Sequence, residues 1–261
     1  MTNILFFQPN IKINPVYANY INKVTVIDRI SNLEEKSNKI NEWLNQTLGE
    51  VGNVISPNHF YELNLAYDMY GYNIIYLKPE MKIQFNKKET QMYLFKTMNK
   101  RQVPFMVAHN APVLYYEDDT NQIIEIEASD NLMIGFILPK DVIIPLIDGN
   151  YINSINNKLK KEILDKIYLP KFKHTNQYAM RDILGSAGLS IFNGCNLGEI
   201  TNKTLVMNNI IQNITFILAE GIGFNKKNNG SGDISFIADH PFVYYVRLST
   251  NNAIILTGLF I

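Results

Sequence analysis

The sequence predicts an α+β fold in a single domain spanning residues 1–261, and three observations carry that expectation. Between about residue 63 and residue 145, apolar and polar residues alternate with period two, the pattern of successive strands with one buried face. Helical periodicity occurs in scattered patches instead of alternating with strands, which disfavours a doubly wound parallel sheet. No fixed-period repeat and no long Pro/Gly/Ser linker divides the chain.

In order, "ILFFQPNIKI" reads as a strand and turn, and "YANYINKV" as a short amphipathic helix. In "SNLEEKSNKINEWLNQTLGEV", Ser31 followed by Glu34 forms a capping-box pattern, while Leu33, Ile40, Trp43 and Leu44 share one helical face and Gly49 can end the helix. Strands follow at "NIIYLK", "QMYLF", "QVPFM", "VLYYEDDTNQIIEIE" and "LMIGFILP", with a hairpin turn at Asp118 to Asn121. A helix is expected over residues 151–164, a strand at "DKIYLPKF" and a helix near "NQYAMRDILGSAG" that Gly188 can terminate. The chain closes with a strand at "NITFILA" and a hairpin, "FVYYVRLSTNNAIILTGLF", turning at Asn251 and Asn252.

Composition excludes several functions. Lys plus Arg and Asp plus Glu number 24 each, so no overall field attracts polyanions, and nucleic acid is not an expected partner. Cys195 is the single cysteine, which rules out an intrachain disulfide and a zinc site of paired cysteines. "MTNILFFQPN" lacks the basic region of a signal peptide, and no stretch approaches the roughly 18 to 20 apolar residues of a membrane span, so neither a membrane nor a secretion signal is expected.

Catalytic chemistry is also poorly supported, and the chain is not expected to be an enzyme or to carry a cofactor or metal. His59, His109, His174 and His240 are far apart and form no metal-site spacing. Cys195 lies in "IFNGCNLGEI", which matches no local cysteine-enzyme pattern. Asp118 and Asp119 are explained by the turn they occupy, and Gly230, Ser231 and Gly232 lack the helix start and Lys-Ser/Thr of a phosphate loop. A hydrolase using Cys195 or His240 is a remote alternative.

One stretch carries far more information than composition. In "FIADHPFVYYVRLSTNNAIILTGLF", the residues Phe236, Ala238, Asp239, His240, Pro241 and Phe242 resemble the carboxy-terminal hallmark of the serpin superfamily. Further matches follow in the family's order. "INEWLNQTLGEV" is similar through Ile40, Asn41, Trp43, Thr47 and Gly49, and "NIIYLKPEMKIQFNKKET" through Asn73, Tyr76, Lys78, Phe85 and Thr90, with Met81 where the family has Trp. "QVPFM", "GFILP" and "YLPKFKHTNQYAMRDILGSAGLSIF" continue the series. The resemblance implies a serpin-like fold of large mixed β-sheets with surrounding helices. It also implies that the family's block of amino-terminal helices is lacking, as in shortened viral serpins of poxvirus type.

For function, the resemblance implies a trap. A protease cleaves an exposed reactive loop, and the loop then inserts as a new strand in the middle of a large sheet. Here the hinge is Glu220, Gly221 and Ile222, and the candidate loop contacts are Phe224, Lys226 and Lys227. Because Lys226 and Lys227 are adjacent, any strand register buries one of them, and an unpaired buried ammonium costs about several kcal/mol. Gly221 to Ser235 is 15 residues, about 50 Å when fully extended, too little for an inserted strand, a scissile bond and a return. The expectation is a serpin-family protein, viral and immunomodulatory, weak or inactive as a suicide inhibitor. The alternative is reversible inhibition of a serine protease through Lys226 or Lys227. The expected partner is a protein, either a host serine protease or an immune protein, with self-association through uncovered apolar sheet, in the host-cell cytoplasm or outside the cell.

Overall fold

The alternating patterns become strands because each buries one apolar face, and helices form where the period switches to 3.6. The structure, a computed structural model, describes residues 2–7, 11–20, 33–49, 52, 54–56, 68–97, 99–143, 146–221 and 232–261. In chain order the elements begin with β1 (Thr2–Phe7), α1 (Pro15–Tyr20), α2 (Leu33–Leu48), β2 (Met69–Leu77), β3 (Gln91–Phe95) and β4 (Arg101–Glu117). Next come β5 (Asn121–Glu127), β6 (Leu132–Pro139), α3 (Gly149–Ile155), β7 (Lys160–Pro170), β8 (Phe172–Ala179) and α4 (Arg181–Ser186). The last are β9 (Cys195–Asn196), β10 (Thr204–Leu205), β11 (Met207–Leu218), β12 (Ser235–Ile237), β13 (Phe242–Leu248) and β14 (Ile254–Phe260). The chain divides into two compact units, Met1–Leu77 with His174–Phe216, and Lys78–Lys173 with Ile217–Ile261.

The first unit is built on a sheet of order β1-β2-β11-β8. β1 is antiparallel to β2, whereas β11 runs parallel to β2, from Met207 opposite Met69 to Phe216 opposite Leu77. Ile40 and Leu44 of α2 lie against Ile4, Phe6, Tyr70, Tyr72, Ile74 and Ile211 on one face, each buried aliphatic side chain contributing about 1.5–3 kcal/mol. Gly49 ends α2 at φ 82°, a left-handed conformation that suits glycine. Asn41 pins the chain that follows, accepting from the N–H groups of Val54 and Ile55 and donating to the Ile55 carbonyl at 2.8 Å.

The second unit holds the larger sheet, of order β12-β7-β4-β5-β6-β13-β14, with β3 paired to β4. β13 is buried almost throughout, and its consecutive tyrosines point to opposite faces. Each meets a glycine on a neighbouring strand: Tyr245 lies opposite Gly135 of β6, and Tyr244 opposite Gly258 of β14. A Cβ at either glycine would fall within the tyrosine ring beside it. Below Tyr245, the buried Glu125 carboxylate accepts from the Tyr245 hydroxyl at 2.8 Å and from Arg247 Nε at 2.7 Å. Arg247 also donates to Asn252 Oδ1, and Asn252 sits at φ 60° in the β13–β14 turn.

Several expectations needed correction. The helix expected over 151–164 is Gly149–Ile155, and the rest enters β7, where β4 supplies an antiparallel partner from Tyr115 opposite Lys160 onward. "QVPFM" and "VLYY" belong to one continuous strand, β4. "NQYA" extends β8, so the helix there begins only at Arg181, and Gly188, at φ 93°, follows it as expected. Ser31 of the capping box lies outside the described residues.

Candidate functional site

β11 leads directly into the segment expected to be the hinge. Glu220 is buried, and its carboxylate receives Lys171 Nζ at 2.9 Å and the Thr90 hydroxyl at 3.1 Å. Burial pushes this carboxyl up, but Lys171, its own backbone N–H and Thr90 together bring it below the ordinary carboxylate value. Gly221 follows at φ 69°, and a Cβ there would stand 3.2 Å from the Met81 backbone nitrogen. Only glycine combines that conformation with that clearance. Ile222, Phe224, Lys226 and Lys227 lie outside the described residues.

The chain is next described at Gly232, pressed so closely on the backbone of Ile163 and Asp165 in β7 that a Cβ would collide with it. The Asp165 N–H donates to the Ile234 carbonyl, and β12 then pairs parallel to β7, Phe236 opposite Ile167. The motif residues lock the next turn. Phe236 and Ala238 are buried, and the Ala238 N–H donates to Tyr168 O. His240 Nε2 donates to the Pro139 carbonyl at 2.6 Å, while Nδ1 lies 2.8 Å from Asp239 Oδ1, whose other oxygen holds Lys96 Nζ at 2.6 Å. Phe242, just past Pro241, stacks on Phe260 with ring centroids 5.2 Å apart.

Between β2 and β11 a chain of amides crosses the parallel pair. Gln212 Nε2 donates to Asn73 Oδ1 at 3.0 Å, and Asn73 Nδ2 donates to Asn3 Oδ1 at 2.7 Å. Asn73, singled out by resemblance, thus ties three strands together. Sequence reasoning missed Gln212, and it missed Lys171 and Thr90 as partners of Glu220. The latter two stand within recognisable segments, but nothing local in either segment points to Glu220.

A family model described as "Serpin (serine protease inhibitor)" matches residues 1–261. The chain belongs to the serpin family. Mouse (Mus musculus) macrophage plasminogen activator inhibitor 2 is 27% identical over 271 residues, covering 92% of this serpin and 64% of that protein. An uncharacterized serpin-like protein, R700, of Acanthamoeba polyphaga mimivirus is 26% identical over 100% of this chain and 70% of its own. Uncleaved ovalbumin superimposes with a TM-score of 0.82 at 19% identity, over 99% of this chain and 75–76% of solved serpin chains such as it and protease nexin-1. This serpin therefore has the serpin fold and spans 64% of the length of the mouse and human inhibitors it matches.

The residues considered for hydrolysis have other surroundings in this serpin. Burial pushes the Cys195 thiol up, and its Sγ lies 3.7 Å from the Leu205 carbonyl, while both His240 nitrogens are engaged in the β12–β13 turn. Asp118 accepts from the Thr120 and Asn121 N–H groups at the hairpin, as a turn residue does. Among the described residues no group of three or more His, Cys, Asp or Glu side chains is placed to hold a metal.

Proposed function

We propose that the chain is a protein-binding serpin whose reactive loop is weak or inactive as a suicide inhibitor, and not an enzyme. The observation that carries this reading is the β2–β11 seam set against the chain available to fill it. Because β2 and β11 are parallel, a strand that turned back from β11 and entered between them would run antiparallel to both. The seam from Met207 to Phe216 is ten residues, about 33 Å. A cut after Lys227 leaves Ile222 to Lys227 to enter it, six residues or about 20 Å. One of the two lysines would then face the apolar layer of Tyr72, Ile74, Ile40 and Leu44, at a cost of about several kcal/mol.

The family's description as serine protease inhibitors supports a protease as the protein partner, with an immune protein as the other class. Similarity to a mimivirus protein across the whole chain supports a viral, immunomodulatory role, exercised in the host cytoplasm or outside the cell. Thermal unfolding before and after nicking within residues 224–232 tests the loop. The expected midpoints are alike; a large gain on nicking, or an SDS-stable adduct with any serine or cysteine protease, would falsify the proposal.

The backbone contacts of Gly221 and Gly232 favour a second reading, a loop tethered at both ends that acts as a reversible substrate mimic. Lys226 or Lys227 would then enter a trypsin-like pocket. Lys226→Ala or Lys227→Ala should abolish that inhibition and leave the unfolding curve unchanged; inhibition that survives both removes the reading.

A further inference from the structure

In the β12–β13 turn the acceptors dictate where protons must lie. His240 is buried, and an oxygen stands at each ring nitrogen: the Pro139 carbonyl 2.6 Å from Nε2 and Asp239 Oδ1 2.8 Å from Nδ1. A carbonyl only accepts, so Nε2 donates. Asp239 is also an acceptor. Burial pushes its carboxyl up, but the hydrogen bonds from His240 and from Lys96, whose Nζ lies 2.6 Å from the other oxygen, bring it below the ordinary carboxylate value. A neutral imidazole carries one N–H and one bare lone pair, and would set that lone pair against one of the two oxygens. Only the doubly protonated ring donates at both. Among the described residues the charged groups here are Asp239, from the turn itself, and Lys96, just past β3. β6 contributes the Pro139 carbonyl, and the adjacent Lys140 is held 2.8 Å from Glu117. Asn121 of β5, opposite Pro139, is uncharged, as are Phe242 of β13 and Phe260 of β14.

We infer that His240 is a proton-gated latch: as the imidazolium it ties the β12–β13 turn to the end of β6 through Pro139 and, by way of Asp239, to Lys96 beyond β3. Loss of either ring proton breaks one of the two bonds. The effect reaches neighbouring strands because the same turn carries backbone bonds, from Lys96 N–H to the Asp239 carbonyl at 2.6 Å and from Ala238 N–H to the Tyr168 carbonyl at 3.0 Å. β12 is only three residues long, so this turn is a large part of what keeps it on β7. The sign follows from the proton count. The latch needs the charged ring, so it is closed on the acid side of the histidine's titration and opens as pH rises through it. The depressed Asp239 carboxyl acts in the opposite sense, and its contribution is lost only as pH falls through the carboxylate range. The inference does not rest on the state of the reactive loop.

Histidine ring nitrogen NMR and amide hydrogen exchange of the full chain, followed over pH, test it. Both His240 nitrogens should carry protons while exchange at Ala238 and Lys96 is slow. As pH rises the two readouts should change together, protection at these amides falling about tenfold, after correction for the intrinsic pH dependence of exchange, once one ring proton is gone. Asp239→Asn supplies a side-chain amide that donates to a bare Nδ1, so the neutral ring keeps both bonds and protection should stay flat over the same range. Lys96→Met removes the ion pair but leaves Asp239 and His240 in place, and should retain the response. A His240 ring with a single proton throughout the range in which the turn is intact overturns the inference. So does an equal pH response in wild type and Asp239→Asn, or a response abolished by Lys96→Met, which would assign it to the ion pair.

Discussion

Glu220 shows how much a single side chain's environment decides at the proposed hinge. Its carboxylate is buried and ionised because Lys171 and Thr90 reach it from segments 49 and 130 residues away. Lys171→Ala leaves the carboxylate with Thr90 and its own backbone N–H. Since the lysine side chain is 44% exposed, the expected loss is about 1–2 kcal/mol, below that of a fully buried pair, and calorimetry at neutral pH would measure it. Glu220 and Gly221 were singled out in the sequence because the Glu-Gly pair resembles the family's hinge, the role proposed for them. Their partners were not, because a hydrogen bond across such separations leaves no local spacing to read.

At the scale of elements, the β4–β5 hairpin was read correctly, and the reason lies within four residues. Asp118 accepts from the N–H groups of Thr120 and Asn121 and from the Tyr151 hydroxyl at 2.8 Å. Burial alone would push its carboxyl up, but these donors hold it at about 2, against an ordinary 3.8. A depressed carboxyl stabilises the fold fully above its unfolded value and loses that contribution as pH falls from 3.8 toward about 2. Urea unfolding midpoints measured above and below that window should therefore differ more for wild type than for Asp118→Asn, which lacks the titration. An equal pH response in both proteins would contradict the assignment. The helix expected over 151–164 failed for the opposite reason. Its second half is drawn into β7 by β4, a partner about 50 residues away in sequence, and non-local pairing overrides local period. β4 itself was divided because Asn110 and Pro112 interrupt the pattern, yet β7 pairs on both sides of them in one register.

For the molecule as a whole, the family was legible from ordered short motifs, above all Phe236 to Phe242, whose side chains and backbone fasten the β12–β13 turn. The parallel pairing of β2 with β11 was not, since hydrophobic period specifies a strand's faces but not its neighbours. Global stability should hinge on the Glu125–Arg247 pair, because the carboxylate has no exposure to water. Arg247→Ala strands that charge and should cost about 3–5 kcal/mol, a large share of the roughly 5–15 kcal/mol typical of a folded protein. Urea denaturation reads the effect directly, and a loss under about 1 kcal/mol would show that water or Tyr245 replaces the guanidinium.

The two tyrosine–glycine pairs of β13 also constrain how this sheet can evolve. Any single replacement of Gly135 or Gly258 meets an aromatic ring, and any single shrinkage of Tyr245 or Tyr244 opens a void over bare backbone. Neither partner can drift independently. In a saturation library, Gly135 should tolerate alanine only in backgrounds where Tyr245 has already been reduced, so substitutions at the two positions should be recovered together or not at all.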